Sequence, residues 1–210
     1  MRCWLSGLVA SELSCIKRDR VLFDRLSFSL QSGQLVYLRG PNGAGKTSLL
    51  RILCGLSQPE SGTITWQSQP LGEHWFKDLI YVGHKPGVNG ALTAIENLAF
   101  WCRQHSVSAS LDHLYHVLAE LGLVGMEDVP CRTLSAGQQR RVALSRLWLK
   151  SAKVWILDEP FTALDVKGVA QLEDKMKAHV DAGGAVLTTS HQALSERAGT
   201  VRFFDLEYRF

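Results

Sequence analysis

Nowhere in these 210 residues does an apolar run reach the roughly 18 needed to cross a bilayer. The opening stretch from Met1 to Ala10 carries one basic residue, and Glu12 and Lys17 end it early. It is too short for a span and poor as a signal peptide. A chain of this kind that serves a membrane does so from the aqueous side. Charge of one sign is equally scarce: 23 Lys+Arg against 20 Asp+Glu leave a formal +3, which argues for no nucleic acid without a local cluster. The one basic run, Lys17-Arg18-Asp19-Arg20, is interrupted by an acid and reads as a solvated strand end. Cysteines are few and scattered, at Cys3, Cys15, Cys54, Cys102 and Cys131. None forms CxxC or CxxCH, which excludes a metal knuckle and covalent haem attachment and fits free thiols. Repeats and low-complexity stretches are also missing.

What is present is an ordinary globular composition, 46% hydrophobic and 20% charged, long enough for one well-cored domain. The N-terminal part alternates like strands, with Val21-Leu22-Phe23, then Leu26 to Leu30, then the apolar Leu35-Val36-Tyr37-Leu38. Lys46 to Cys54 reads as a helix, and Thr63 to Trp66 as a strand. Residues 91–132 change period: Leu92, Ile95, Leu98, Ala99 and Cys102 recur at helical spacing, as do Leu111, Leu114, Leu118 and Leu121. Beyond them, Gln138 to Leu149 predicts a helix, Val154 to Leu157 a buried strand, and Lys167 to Val180 a helix. Ala185 to Thr189 and Val201 to Phe204 close the pattern as strands. The order is β, then α/β, then an inserted all-α piece, then α/β again.

Between the strand ending at Leu38 and the helix starting at Lys46 lies Gly40-Pro41-Asn42-Gly43-Ala44-Gly45-Lys46-Thr47, a complete GxxxxGK[ST]. Glycines let successive N–H groups turn inward toward phosphate oxygens, and the helix N-terminus adds a positive dipole end. Lys46 has the reach for β and γ phosphates, and the Thr47 hydroxyl suits Mg²⁺. A second apolar strand closes with Asp158-Glu159-Pro160. Ligands of open α/β sheets bind at the carboxyl ends of strands, so this end should lie beside the phosphate loop. Asp158 then reaches Mg²⁺ through water, and Glu159, one residue on, is placed to polarise an attacking water.

Leu134-Ser135-Ala136-Gly137-Gln138-Gln139-Arg140-Arg141 carries an LSxGQ signature. With the phosphate loop and the acidic pair, the chain resembles the nucleotide-binding domains of ATP-binding-cassette proteins over residues 21–191. The resemblance implies an α/β, P-loop NTPase fold of that type, with a RecA-like core, an antiparallel β subdomain and an inserted all-α lobe. One domain would fill 1–210, with its core near 13–90 and 133–210, the lobe near 91–132, and the signature helix continuing to 149. ATP and Mg²⁺ are the implied cofactors. By the same resemblance, Ser135 and Gly137 contact the γ-phosphate bound to the opposite subunit of a homodimer. Thr162 to Asp165 links the two sites, and His191 touches the γ-phosphate and positions the water with Glu159.

Two departures from the family pattern stand out. His84, in Tyr81-Val82-Gly83-His84, occupies the place of a glutamine and is a possible Mg²⁺ neighbour through one ring nitrogen. The stretch Cys15 to Arg20 holds no aromatic residue for stacking on adenine, which leaves an arginine plane as the substitute. Within the family, Tyr81 to Gly87 and Thr133 to Leu147 are similar to the ATP-binding subunits of the cytochrome c biogenesis system, which share the histidine. That resemblance implies a peripheral ATPase on the cytoplasmic face of a bacterial inner membrane, paired with an integral permease and engaged in haem handling. An ATP-gated module of a soluble assembly, or the motor of another small exporter, are the alternatives. A contact for the membrane partner is expected around Lys85 to Gln104, near Leu92, Phe100 and Trp101. His113 and His116 are expected on a solvated helix face.

Overall fold

A computed structural model of the chain describes residues 7–207; Cys3 and the rest of the first six residues lie outside them. Two sheets form the body. Strands β1 (Gly7–Lys17) and β2 (Arg20–Gln31) make a long antiparallel hairpin. Its turn is Arg18-Asp19, both at positive φ, as a tight two-residue hairpin turn requires. The interrupted basic run is therefore an exposed turn between two strands. After β3 (Leu35–Arg39) and α1 (Lys46–Leu53), strands β4 (Ser61–Trp66) and β5 (Gln69–Pro70) extend the hairpin sheet to the order β2-β1-β4-β5. The short α2 (Glu73–Asp78) leads into β6 (Leu79–Val82).

The helical insert follows, with α3 (Ala94–Gln104), α4 (Leu111–Glu120), and α5 (Ala136–Leu144) with its short continuation α6 (Arg146–Leu149). Then come β7 (Val154–Leu157), α7 (Val166–Asp181), β8 (Ala185–Thr188) and β9 (Val201–Asp205). The second sheet is parallel throughout, in the order β6-β7-β8-β3-β9. The central strands β7 and β8 are apolar on both faces because both faces are covered, whereas the edge strand β9 keeps Arg202, Phe203 and Asp205 exposed. Val154 and Ile156 pack toward α1 and the hairpin sheet, while Trp155 and Leu157 pack toward α5 and α7. A third cluster, built on Leu98, Trp101, Leu114, Leu118 and Val142, is the insert's own core.

The signature helix does not run unbroken to 149. It ends at Leu144, and Ser145 separates it from α6. The Ser145 hydroxyl donates back to Arg141 O at 2.9 Å, on a carbonyl that already accepts from Ser145 N–H. That back-bonding bends helices, and the apolar spacing of Val142, Ala143, Leu144 and Leu147 runs across the break without registering it. The helix also begins two residues earlier than its apolar pattern predicts, at the Ser135 cap.

The strand order determines where function gathers. Since β6, β7, β8 and β3 are neighbours, their carboxyl ends stand in a row. His84, Asp158-Glu159, His191 and the Gly40–Thr47 loop each follow one of those ends.

Candidate nucleotide site

An open cavity of about 370 Å³ joins these four ends, bounded by the phosphate loop, His84, Asp158, Glu159 and His191. The loop turns into α1 at Gly45, whose φ of 100° is a backbone geometry that side chains resist. No side chain caps that first turn, so its N–H groups are left to an incoming anion. Lys46 Nζ donates to Gly40 O at 2.6 Å and Pro41 O at 3.3 Å, folded over the loop it would leave to meet a phosphate. Thr47 is exposed at the cavity wall.

Asp158 is 2% exposed. Its Oδ1 accepts the Thr189 hydroxyl at 2.9 Å, whereas Oδ2 is buried with no hydrogen-bond partner among the described residues. An unpaired buried carboxylate oxygen costs roughly a few kcal/mol, and it is the feature expected where a hydrated cation is to sit. Among the described residues no cluster of three His, Cys, Asp or Glu forms a cage. Mg²⁺ takes one or two protein oxygens and completes its shell with water and phosphate, a demand the Thr47 hydroxyl and the Asp158 carboxylate fit. The charge of Asp158 reaches its surroundings: Tyr81 on β6 is pushed up to about 12, first by burial and next by that carboxylate.

Glu159 adopts a left-handed φ of 52°, an uncommon geometry for a residue with a side chain, and one found at functional sites. Three bonds hold it there. Its N–H donates to Thr189 Oγ1 at 2.9 Å, its carbonyl accepts from Thr162 N–H at 3.3 Å, and that carbonyl also accepts from the Arg140 guanidinium. The carboxylate Oε1 lies 3.6 Å from His191 Nε2, whose ring is largely exposed, a spacing that leaves both groups facing the cavity.

Arg140 has a share in the site that its place in the signature did not disclose. It is 2% exposed, and it donates to Gly83 O at 2.7 Å, Asp158 O at 3.1 Å and the Glu159 carbonyl. One guanidinium thus ties α5 to the ends of β6 and β7. Burial lowers its pKa, and the Asp158 and Glu159 charges oppose that shift. Thr189 and Tyr37 were likewise silent in the sequence, because an isolated hydroxyl in a strand carries no pattern.

The structure brings Asn42, Gly43, Gly45, Lys46, Thr47, His84, Asp158, Glu159 and His191 to one cavity, and Gly40, Pro41, Ala44, Ser135 and Gly137 do not line it. Ser135 instead caps α5: its Oγ accepts from Gln138 N–H at 3.2 Å, and Gln138 Oε1 accepts from Ser135 N–H at 2.8 Å. Its own hydroxyl proton remains to be given outward. A Cβ at Gly137 would stand 2.5 Å from Ala163 O, so this glycine lets the 162–165 loop close against the signature helix. Asp165 caps α7 through Gly168 N–H and pairs with Arg141 at 2.7 Å. On the hairpin, Leu22 packs against Gly45, and Arg20 is exposed two residues along the same strand face.

A sequence profile of the family described as ABC transporter matches residues 23–162, more than half of the chain. The chain belongs to the ABC transporter family. It is 48% identical over 202 residues to the Cytochrome c biogenesis ATP-binding export protein CcmA of Escherichia coli (strain K12), covering 95% of this chain and 96% of that protein. It is 50% identical over 205 residues to the protein of the same name from Idiomarina loihiensis, covering 96% and 93% respectively. Among solved structures, an ATP-binding subunit of an ABC transporter superposes with a TM-score of 0.86 at 23% identity, covering 97% of this chain and 88% of that one. As a member of the ABC transporter family, this chain is an ATP-hydrolysing subunit. The helical insert between β6 and β7 and the antiparallel sheet beside the parallel one are that family's architecture. No helix among the described residues is long and apolar enough to cross a membrane.

Proposed function

We propose that this chain is the energy-coupling ATPase of a transporter complex in c-type cytochrome biogenesis, acting as a head-to-tail homodimer. It would bind an integral permease from the cytoplasmic face of a bacterial inner membrane. Near-full-length similarity to proteins named for that process supports the cellular role. The single observation carrying the chemistry is the convergence of Lys46, Thr47, Asp158, Glu159 and His191 on one cavity.

The roles follow from position. N–H groups of the 40–47 loop and the α1 N-terminus hold the β and γ phosphates, and Lys46 swings from Gly40 O to join them. Thr47 Oγ1, and Asp158 through water, would hold Mg²⁺, which would supply charge neutralisation on the phosphate oxygens. His84, on the same cavity wall, would be a further group beside that metal. Glu159 would accept a hydrogen bond from the attacking water, and His191, with its Nε2 3.6 Å from the Glu159 carboxylate, would face the γ-phosphate from the same side. Ser135 and Gly137 sit away from their own chain's cavity with a free O–H and a helix N-terminus. They are therefore assigned to the phosphate held by the twin chain.

Coupling is assigned to the lobe of about residues 91–132. Phe100, 54% exposed on α3, is with Leu111 and Val124 one of the lobe's exposed apolar groups, and it lies within the Lys85 to Gln104 stretch; its neighbour Trp101 is buried in the lobe core. His113 and His116 lie exposed on α4. The test is purification from detergent-solubilised membranes of the native host. Retention of a multi-helix membrane protein, with ATP turnover that Glu159→Gln abolishes, is the expected result. Full recovery in the soluble fraction without an integral partner would overturn the membrane assignment.

A further inference from the structure

His191 is carried by a short loop between two anchors. At one end Thr189 bonds Asp158; at the other, Ser195 N–H donates to Glu173 Oε1 at 2.7 Å, and Glu173 is itself 2% exposed. Between those anchors a side chain from a different strand reaches the loop. Tyr37, on β3 next to the phosphate loop, donates its hydroxyl to Ser190 O at 2.6 Å, and Gln192 O lies 3.2 Å from the same oxygen. A phenol has one proton, so the shorter contact is the main bond and the longer one shares it. The two carbonyls belong to the residues on either side of His191.

Tyr37 is well placed to hold something still. Its ring is 8% exposed and packs edge-on to Phe203 at 5.9 Å between centroids. Phe203 in turn lies under the Arg39 guanidinium at 4.1 Å, and Arg39 makes two 2.8 Å bonds to Asp205. The hydroxyl therefore projects from a braced ring rather than from a mobile one. An apolar residue would serve β3 equally well as core, but it could not reach the loop carbonyls.

We propose that Tyr37 is a positioning residue for ATP hydrolysis, its hydroxyl fixing the backbone around His191 so that the imidazole meets Glu159 and the γ-phosphate in register. This rests on the role given to His191 under Proposed function. The Tyr37–Ser190 bond adds a direct link between the strand that feeds the phosphate loop and the loop that carries the histidine.

The test is Tyr37→Phe, which removes one oxygen and keeps the ring packing, measured beside His191→Ala and the double variant in the purified full chain. The expected result is a kcat about tenfold lower for Tyr37→Phe, the scale of one lost hydrogen bond in the transition state. KM for ATP should stay within about twofold, because the phosphate loop is untouched. The double variant should turn over no more slowly than His191→Ala alone, since a clamp has nothing left to position. Native kcat in Tyr37→Phe, with His191→Ala impaired, would overturn the clamp and leave the His191 role standing. So would losses that simply multiply in the double variant, which would place Tyr37's effect elsewhere in the fold. Native kcat in His191→Ala would remove the underlying role, and the clamp with it.

Discussion

The guanidinium of Arg140, on the helix that Ser135 opens, donates to the carbonyl oxygen of Glu159, the carboxylate placed to polarise water. The residue proposed to meet a twin chain's phosphate and the residue proposed to work on the chain's own phosphate are thereby tied through one element. Lysine at 140 keeps the charge but lacks the fork that spans three carbonyls. Arg140→Lys should lower kcat at least tenfold while ATP still binds. It should also cost roughly 2–4 kcal/mol of unfolding free energy, because carbonyls at Gly83 and Asp158 lose a buried donor. Steady-state phosphate release and urea denaturation read the two effects. Native values in both would dismiss the tie.

Replacing Glu159 by Gln leaves the cavity's shape and the αL backbone intact and removes the group proposed to draw a proton from water. Turnover should fall by about 100-fold or more, in line with the loss of general-base assistance. Binding of ATP, followed by fluorescence of a labelled analogue, should persist. A rate close to native would show that another group polarises the water.

The proposed head-to-tail arrangement has a signature in mixtures. Lys46→Ala damages the loop side of a pocket and Ser135→Arg damages the opposite side. Each variant alone should be nearly inactive. In a one-to-one mixture, half of the dimers combine the two, and each of these has both defects in one pocket and none in the other. The mixture should therefore recover about a quarter of native turnover. A rate equal to the mean of the separate proteins would mean that no pocket is shared.

Far from the cavity, His179 on α7 stacks on Trp155 at 3.8 Å with rings 4° apart. Burial, the largest cause, holds its pKa down to about 4 from 6.5. The folded chain therefore refuses a proton that the unfolded chain accepts. The stability this confers is complete above about pH 6.5 and is lost as pH falls toward about 4. Thermal melting across that window should show a steeper decline for the native chain than for His179→Gln. Parallel declines would show that His179 does not set the acid sensitivity.

Residues whose chemistry demands a motif were legible beforehand. The phosphate loop, Asp158-Glu159 and the Ser135 signature announce themselves because few side chains and few spacings do that work. The parallel strands were legible too, since sheets covered on both faces need unbroken apolar runs. Strand β1 was not, because bulges between Ala10 and Ser14 break its alternation. The end of α5 was hidden for the opposite reason: apolar spacing continued through a bend made by one serine hydroxyl. Arg140 shows the deepest limit. A charged residue in a polar motif gives no sign that it is 2% exposed, since its burial depends on three carbonyls brought from strands far apart in sequence.

The Thr189 hydroxyl gives its proton to Asp158 and receives one from the Glu159 backbone, using a single oxygen as a rivet through two carboxylate residues. Valine, nearly the same shape, would fill the space and join nothing. Because the same residue follows β8 directly, just before the histidine loop, the rivet also fixes that loop against the acidic pair. Position 189 is therefore confined to side chains that both offer and accept a hydrogen bond.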